Sequence, residues 1–123
     1  MNDHDAVQML KALGDGNRLR IMRALAAKRA CVCELAHALD LNQPNLSRHL
    51  RVLENAGLVI SRREGAWTEY RLAPGAAAPL VRWLARATHD DEQGRADAVA
   101  LARADRRRLC GTGLPKKRPP RGA

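Results

Sequence analysis

The sequence lacks the features of a membrane or secreted protein. It has no apolar run close to the roughly 20 residues that span a bilayer. Residues 1–5 are acidic, unlike the basic start of a signal peptide. Three cysteines in 123 residues, an odd number, do not match a secreted disulfide scaffold. We therefore expect a soluble, cytoplasmic protein whose thiols are available for a ligand or for redox chemistry.

The residue patterns of common enzyme classes are also missing. The sequence has no Ser/His/Asp or Cys/His/Asn set in a supporting context and no glycine-rich phosphate loop, and its acidic residues are scattered. We predict that the chain is not an enzyme and has no permanent cofactor. A chain of this length forms one domain with a modest core, which favours oligomerisation.

The net charge of +9 is concentrated near the C-terminus. Residues 103–123 contain eight Lys or Arg and one acid, whereas the other 102 residues contain fourteen basic and twelve acidic groups. We interpret residues 111–123 as a basic, disordered tail that adds sequence-independent affinity for phosphates. Charge alone therefore does not identify residues 1–102 as a nucleic-acid-binding domain.

The spacing of apolar residues predicts four helices in the first half of the chain. Two lie on either side of a break at residues 14–16, where Asp15 or Asn17 can cap the second helix. A short third helix is predicted over residues 34–40. The fourth begins at Pro44, which suits a first helical position, and ends at Gly57. Its buried stripe consists of Leu46, Leu50 and Leu53.

Two short helices joined by a tight turn, the second with a polar outer face, form a helix-turn-helix. The residues of the fourth helix outside its leucine stripe are of the types that hydrogen-bond base edges or phosphates. They are Asn45, Ser47, Arg48, His49 and Arg51. An ordinary solvated helix face would look the same in isolation.

The segment after the fourth helix predicts a β-hairpin. Residues 58–63 and 66–72 alternate around a turn at residues 64–65 and are rich in β-branched or aromatic side chains. A basic hairpin in this place is a wing, and Arg62, Arg63 and Arg71 are placed to touch the DNA backbone. The expected fold is mainly α with a small β-hairpin, a winged helix-turn-helix.

The second half of the chain predicts two further helices. Residues 76–91 include apolar side chains suited to a dimer interface, and Trp83 fits such a core or interface. A helix over residues 96–109 precedes Cys110. We divide the chain into a DNA-binding and dimerisation domain over residues 1–92, a helical extension with Cys110 over residues 93–110, and the tail over residues 111–123.

Several motifs follow one another in a characteristic order: ALGDGNRLRI at 12–21, CVCEL at 31–35, NQPNLSRHL at 42–50, ENAGLV at 54–59 and REGAWTEYRL at 63–72. Over about residues 5–90 the chain resembles the ArsR/SmtB family of winged-helix repressors, most closely the arsenical-resistance operon repressors. The resemblance implies a homodimer that binds double-stranded, palindromic operator DNA and releases it when a metal or metalloid binds. It also implies base contacts from Gln43, Ser47 and Arg48 and wing contacts from Arg62 and Arg63.

Cys31 and Cys33 lie where the helix-turn-helix begins. Residues two apart point about 200° apart on an ideal helix, so both sulfurs can bind one ion only where the segment is extended or frayed. Two small buried hydrophobes would also fit these positions, but within this motif we expect thiolate ligands. A bound ion would distort residues 31–39 and thereby move the fourth helix.

The number and type of ligands indicate the ion. Three thiolates in a pyramid suit trivalent arsenic or antimony, whereas zinc prefers four ligands that include His or carboxylate. The arsenical-resistance repressors that the chain resembles have a third cysteine at the position where this chain has His37. Cys110 is the only other thiol, so we predict the metalloid site from Cys31, Cys33 and Cys110, with an idle Cys110 or a His37 ligand as alternatives.

We therefore expect a metalloid-responsive repressor with arsenite or antimonite as inducer. A repressor that senses redox state through a disulfide or sulfenic acid is one alternative. A cadmium or lead sensor of the same fold is another, although the cysteines that such relatives add near the N-terminus are missing before Cys31. Residues 76–91 offer His89, Asp90 and Asp91 but no second histidine for a zinc site.

Overall fold

The computed structural model describes residues 1–75 and 77–109 as a mostly helical fold with one small antiparallel sheet. The elements are α1 (Asp3–Leu13), α2 (Gly16–Ala27), β1 (Ala30–Cys31), α3 (Val32–Leu39), α4 (Gln43–Asn55), β2 (Val59–Glu64), β3 (Trp67–Leu72), α5 (Ala77–Ala87), α6 (Glu92–Arg103) and α7 (Arg106–Leu109). The strand order is β1-β3-β2, with β3 in the centre. Within the described residues, no helix is both long enough and apolar enough to cross a membrane.

The first two helices lie where the apolar spacing predicts them. The break between them is stabilised by Asp15, whose Oδ2 accepts the backbone N–H of Arg18 at 3.1 Å. This contact satisfies one of the amide donors that have no partner at the start of a helix. Of the two predicted caps, Asp15 is therefore the one used.

Helices α3 and α4 form the predicted helix-turn-helix, with small differences at their ends. Helix α3 starts at Val32, two residues earlier than predicted, because a capping box between Cys31 and Glu34 stabilises its first turn. Asp40 ends it with a left-handed φ of 54°. Helix α4 starts at Gln43, one residue before Pro44, since the Asn42 side chain caps it by accepting the Asn45 N–H at 2.8 Å.

Strands β2 and β3 form the predicted wing. They pair from Val59 opposite Leu72 to Glu64 opposite Trp67, and the turn contains Gly65 at a φ of 62°, which favours glycine. The sheet also contains β1, which the sequence did not predict. A strand of two residues has no alternation to detect, so only its pairing with β3 in the fold reveals it.

One hydrophobic core unites the N-terminal and C-terminal helices. Its largest fully buried side chains are Ile21, Met22, Leu35, Leu39, Leu46, Leu50, Leu53, Leu58 and Leu101. Val81 of α5 and Leu101 of α6 belong to the same cluster as the leucine stripe of α4. Helix α6 packs against both α2 and α3, and α7 packs against α3.

The C-terminal helices differ from the prediction. The single helix expected over residues 96–109 is wrong, because α6 ends at Arg103 and α7 begins at Arg106. The backbone of Ala104 is extended, with ψ 138°, and interrupts the helix. Asp91 sets the early start of α6 by accepting the Gly94 N–H at 2.8 Å. The helix expected over residues 76–91 is shorter in the structure and ends at Ala87.

An ion pair between Arg20 and Asp97 connects α2 with α6. Arg20 Nε lies 3.0 Å from Asp97 Oδ2, and the Asp97 side chain is 5% exposed. The same guanidinium donates from Nη2 to the carbonyl of Leu39 at 2.6 Å, at the end of α3. Arg20 thus connects α6 with the end of α3, the first helix of the helix-turn-helix.

Replacing Asp97 by alanine should lower the free energy of unfolding by about 3 kcal/mol, because it leaves a largely buried guanidinium without its carboxylate. Asp90→Ala, which removes an exposed acid just before α6, is the matched control and should cost less than about 1 kcal/mol. Urea unfolding followed by circular dichroism measures both. Equal losses would contradict a stabilising role of the buried pair.

Candidate thiol site and nucleic-acid interface

Cys31 lies at the junction between sheet and helix-turn-helix. It is the last residue of β1, where its Cα pairs with that of Glu69, and it is also the N-cap of α3. Its backbone is extended, with φ −89° and ψ 168°. The Cys31 N–H donates to Glu34 Oε1 at 2.9 Å. The residue is only 1% exposed, so the thiol is buried at the start of α3.

Burial raises the pKa of the Cys31 thiol to about 11. The backbone N–H of Glu34 lowers this pKa, the Glu34 carboxylate raises it, and the positive charge of Arg106 lowers it. The thiol is therefore protonated at neutral pH. It differs from the exposed thiolates that react readily with oxidants and metals.

Cys33 is the second residue of α3 and is half-buried. One thiol of the pair thus lies in extended backbone and the other in the first helical turn, so the fully non-helical start expected for joint binding is not present. Cys33 is disulfide-bonded, and its sulfur can bind a metalloid only after that bond is reduced. Cys110, the predicted third ligand, lies outside the described residues.

Glu34 and Glu69 share a cation from the C-terminal helices. Arg106 Nη2 lies 3.0 Å from Glu34 Oε1 and 3.1 Å from Glu69 Oε2. The guanidinium also lies 5.8 Å from the ring centroid of Trp67, within the range of a cation–π contact. Glu34 is 3% exposed, so its charge needs this partner. We call Glu34, Glu69 and Arg106 the Arg106 bridge.

The Arg106 bridge was not predicted from the sequence. One signal was available, since Cys31-x-x-Glu34 has the spacing of a capping box with cysteine in place of serine. Residues 1–75 and 77–109 contain no group of three His, Cys, Asp or Glu side chains that could hold a metal ion. His37 is exposed on α3, and His89 pairs at 2.7 Å with Asp90.

Helix α4 presents a polar, solvent-exposed surface opposite its leucine stripe. Gln43, Ser47 and Arg51 are exposed and four residues apart, so they form one row along the helix. Arg48 is exposed beside this row, and its Nη2 donates to Asn45 Oδ1. Asn45 itself is half-buried. These side chains can hydrogen-bond base edges and phosphates.

His49 lies on the other side of α4 from this row. It is half-buried, and its Nδ1 lies 3.4 Å from Arg18 Nη1 of α2. His49 was predicted among the exposed polar residues because it lies outside the leucine stripe. The structure instead places it between α4 and α2.

The three predicted wing arginines lie on two faces of the sheet. Ser61 faces α4, because its Oγ donates to Glu54 Oε2 at 3.0 Å. Successive residues of a strand alternate between faces, so Arg63 shares the α4 face and Arg62 lies opposite. Arg71 lies on the same face as Arg62, since its cross-strand partner is Ile60. Arg62 also forms an ion pair with Glu64 at 3.2 Å.

Comparison with known proteins agrees with this architecture. Residues 15–61 match the family described as "Bacterial regulatory protein, arsR family". HlyU from Vibrio cholerae has a similar structure, with a TM-score of 0.65 and 34% identity, over 71% of this chain and 97% of that one. The chain belongs to the ArsR family. The predicted winged helix-turn-helix fold is confirmed.

Two further relatives bear on function. The "Arsenical resistance operon repressor" of Escherichia coli K12 is 45% identical over 69 residues, which are 55% of this chain and 59% of the repressor. A homodimeric winged helix-turn-helix domain from Mycobacterium bovis, a possible ArsR-family regulator, has a TM-score of 0.65 at 30% identity and covers 77% of this chain and 93% of that one. The chain spans between half and three fifths of the first curated relatives' length.

The buried state of Cys31 predicts its reactivity. In a Cys33→Ser, Cys110→Ser variant, Cys31 is the only thiol. Its alkylation by iodoacetamide should accelerate about tenfold per pH unit from about pH 7 to 10, because only the thiolate reacts and the pKa lies higher still. The same variant unfolded in urea is the control. A rate that levels off at about pH 8.5 in the folded protein would show an unperturbed thiol.

Proposed function

We propose that the chain is a transcriptional repressor that binds double-stranded operator DNA as a homodimer. Trivalent arsenic or antimony, bound by cysteine thiolates, releases it from the operator. The position of Cys31 is the main support, because this residue caps the first helix of the helix-turn-helix and pairs with the central strand of the wing sheet. A ligand on this sulfur acts directly on both DNA-binding elements.

The DNA interface that we propose combines α4 with the wing. The exposed row on α4 and Arg48 supply base and phosphate contacts from the major groove, as the second helix of such motifs does. Arg63 is the wing cation on the α4 face, so it lies nearest to the DNA that α4 would contact. Arg62 and Arg71 remain predicted contacts, from the opposite face of the hairpin.

Exposed apolar side chains support the homodimer. Helix α5 exposes Leu80 and Trp83, three residues apart on one helix face, and α1 exposes Val7 and Leu10 in the same spacing. Large apolar side chains clustered on a surface are typical of protein interfaces. The M. bovis neighbour is itself homodimeric.

The thiol chemistry supports a soft, trivalent effector. A thiol that binds arsenous acid forms one arsenic–sulfur bond, and its proton leaves with one hydroxide as water. A protonated Cys31 is therefore a suitable reactant, because no net proton is released. The described residues supply two sulfurs, Cys31 and Cys33, and we propose Cys110 as the third. The arsenical-resistance relatives are consistent with this choice.

A thiol redox sensor is the second candidate. It is favoured by one observation, the disulfide-bonded state of Cys33. In that case an oxidant would form the disulfide and so change the first turn of α3. Titrating the reduced protein with arsenite and with hydrogen peroxide, while following operator release, separates the two functions.

Cys31→Ser or Cys33→Ser should leave operator affinity within about twofold of wild type and abolish release by arsenite. A hydroxyl keeps the size of the thiol, and serine at the N-cap preserves the capping box, but oxygen is a poor ligand for a soft metalloid. Fluorescence anisotropy of labelled operator, with a phosphine reductant, measures both effects. If either variant leaves the operator at the arsenite concentration that releases wild type, the pair is not the sensor.

Arg63→Ala should weaken binding to operator and to unrelated DNA alike and reduce the salt slope by about 1, because a phosphate contact releases about one counterion. Arg62→Ala removes the same charge from the adjacent residue, which lies on the opposite face of the hairpin, and is the variant for comparison. Because Arg62 lies on the face away from α4, its loss should reduce the salt slope by less than the loss of Arg63 does. A larger reduction of the salt slope in Arg62→Ala than in Arg63→Ala would contradict the assignment of the two arginines to opposite faces.

A further inference from the structure

Arg106 connects the thiol site to the wing. Its Nη2 contacts Glu34, the third residue of α3, and Glu69, a residue of the central wing strand. We propose that Arg106 is a positioning residue that couples the thiol site to the wing, so that a change in the first turn of α3 alters the position of β3. This inference rests on the proposed function, because the change it transmits is the binding of a metalloid by Cys31 and Cys33.

The register of the sheet places the same residues in one row. Cys31 of β1 pairs with Glu69 of β3, and Glu69 pairs with Arg62 of β2. Glu69 therefore lies one strand away from the thiol and one strand away from the outer edge of the wing. The side chain of Glu69 is 11% exposed, and Arg29 approaches it only at 3.9 Å. Arg106 is its closer cation.

Metalloid binding would act on the Arg106 bridge through Glu34. Sulfurs two residues apart diverge on a regular helix, so joining Cys31 and Cys33 on one atom requires the first turn of α3 to unwind. Unwinding removes the bond between the Cys31 N–H and Glu34 Oε1 that holds the carboxylate in place. A displaced Glu34 either takes Arg106 with it or leaves the guanidinium to Glu69 alone. In both cases the position of β3 changes.

The bridge also explains why α7 is ordered against this site. Helix α7 has four residues and packs against α3, and its first residue, Arg106, faces Glu34, Glu69 and the ring of Trp67. A short helix gains little stability from its own hydrogen bonds. The contacts of Arg106 therefore hold α7 in place against α3 and β3. The experiment must distinguish coupling from a purely structural role of Arg106.

The test compares reduced, full-length wild type with Arg106→Ala and Glu69→Gln. Arg108→Ala is the matched control, because it removes the same charge from an exposed position on α7. Operator Kd is measured by anisotropy with and without saturating arsenite, in a phosphine reductant because thiol reductants bind arsenite. Ultraviolet absorption of the arsenic–sulfur bonds confirms that each variant is loaded. The quantity of interest is the ratio of the two Kd values, since a merely structural role changes both values together.

We expect arsenite to raise the wild-type Kd by a factor in the range of about 5 to 150. Arg106→Ala and Glu69→Gln should reduce this factor about tenfold, or abolish it, while both still bind arsenite, and Arg108→Ala should keep the wild-type factor. Glu69→Gln decides the matter if Arg106→Ala does not fold, because it leaves the contact between Arg106 and Glu34 in place.

Two results overturn the inference in different ways. If arsenite releases wild type and both bridge variants by the same factor, the bridge does not couple the sites, and the proposed function stands. If arsenite binds wild type without changing its operator Kd, the proposed function fails and the coupling fails with it.

Discussion

The capping interaction between Cys31 and Glu34 is the constraint on which the rest of the structure depends. It ends β1 and begins α3 at the same residue, so strand pairing and helix initiation meet at Cys31. The carboxylate that accepts the Cys31 N–H is buried and needs a cation, which comes from α7. A polar contact in the core thus connects the helix-turn-helix, the sheet and the C-terminal helices.

The wing hairpin has two different environments on its two faces. Its α4 face contains Ser61, bonded to Glu54, and the exposed Arg63. The opposite face contains Glu69, which is held by Arg106. Because β2 and β3 are paired, a shift of β3 caused by Arg106 also moves Arg63, the cation that we propose for DNA contact. No direct contact between a metalloid and DNA is needed.

Much of the fold could be predicted because its signals are local. Leu46, Leu50 and Leu53 mark α4 by their spacing, and alternation around Gly65 marks the wing. The start of α3 was missed, because cysteine is not an expected N-cap residue. The contact between Arg106 and Glu34 joins residues 72 positions apart, and no local pattern in a single sequence indicates such a pair. The division of wing arginines between faces required the strand register.

The central claim is that metalloid binding by Cys31 and Cys33 unwinds the first turn of α3. Hydrogen exchange of the Cys31 amide, followed by NMR on the reduced full-length chain with and without arsenite, tests it most directly. In the absence of arsenite this buried N–H donates to Glu34 and should exchange slowly. With arsenite bound, its exchange should accelerate at least about tenfold while the amides of Ile21 and Met22 in α2 stay protected. Unchanged protection of the Cys31 amide in the loaded protein would contradict the account.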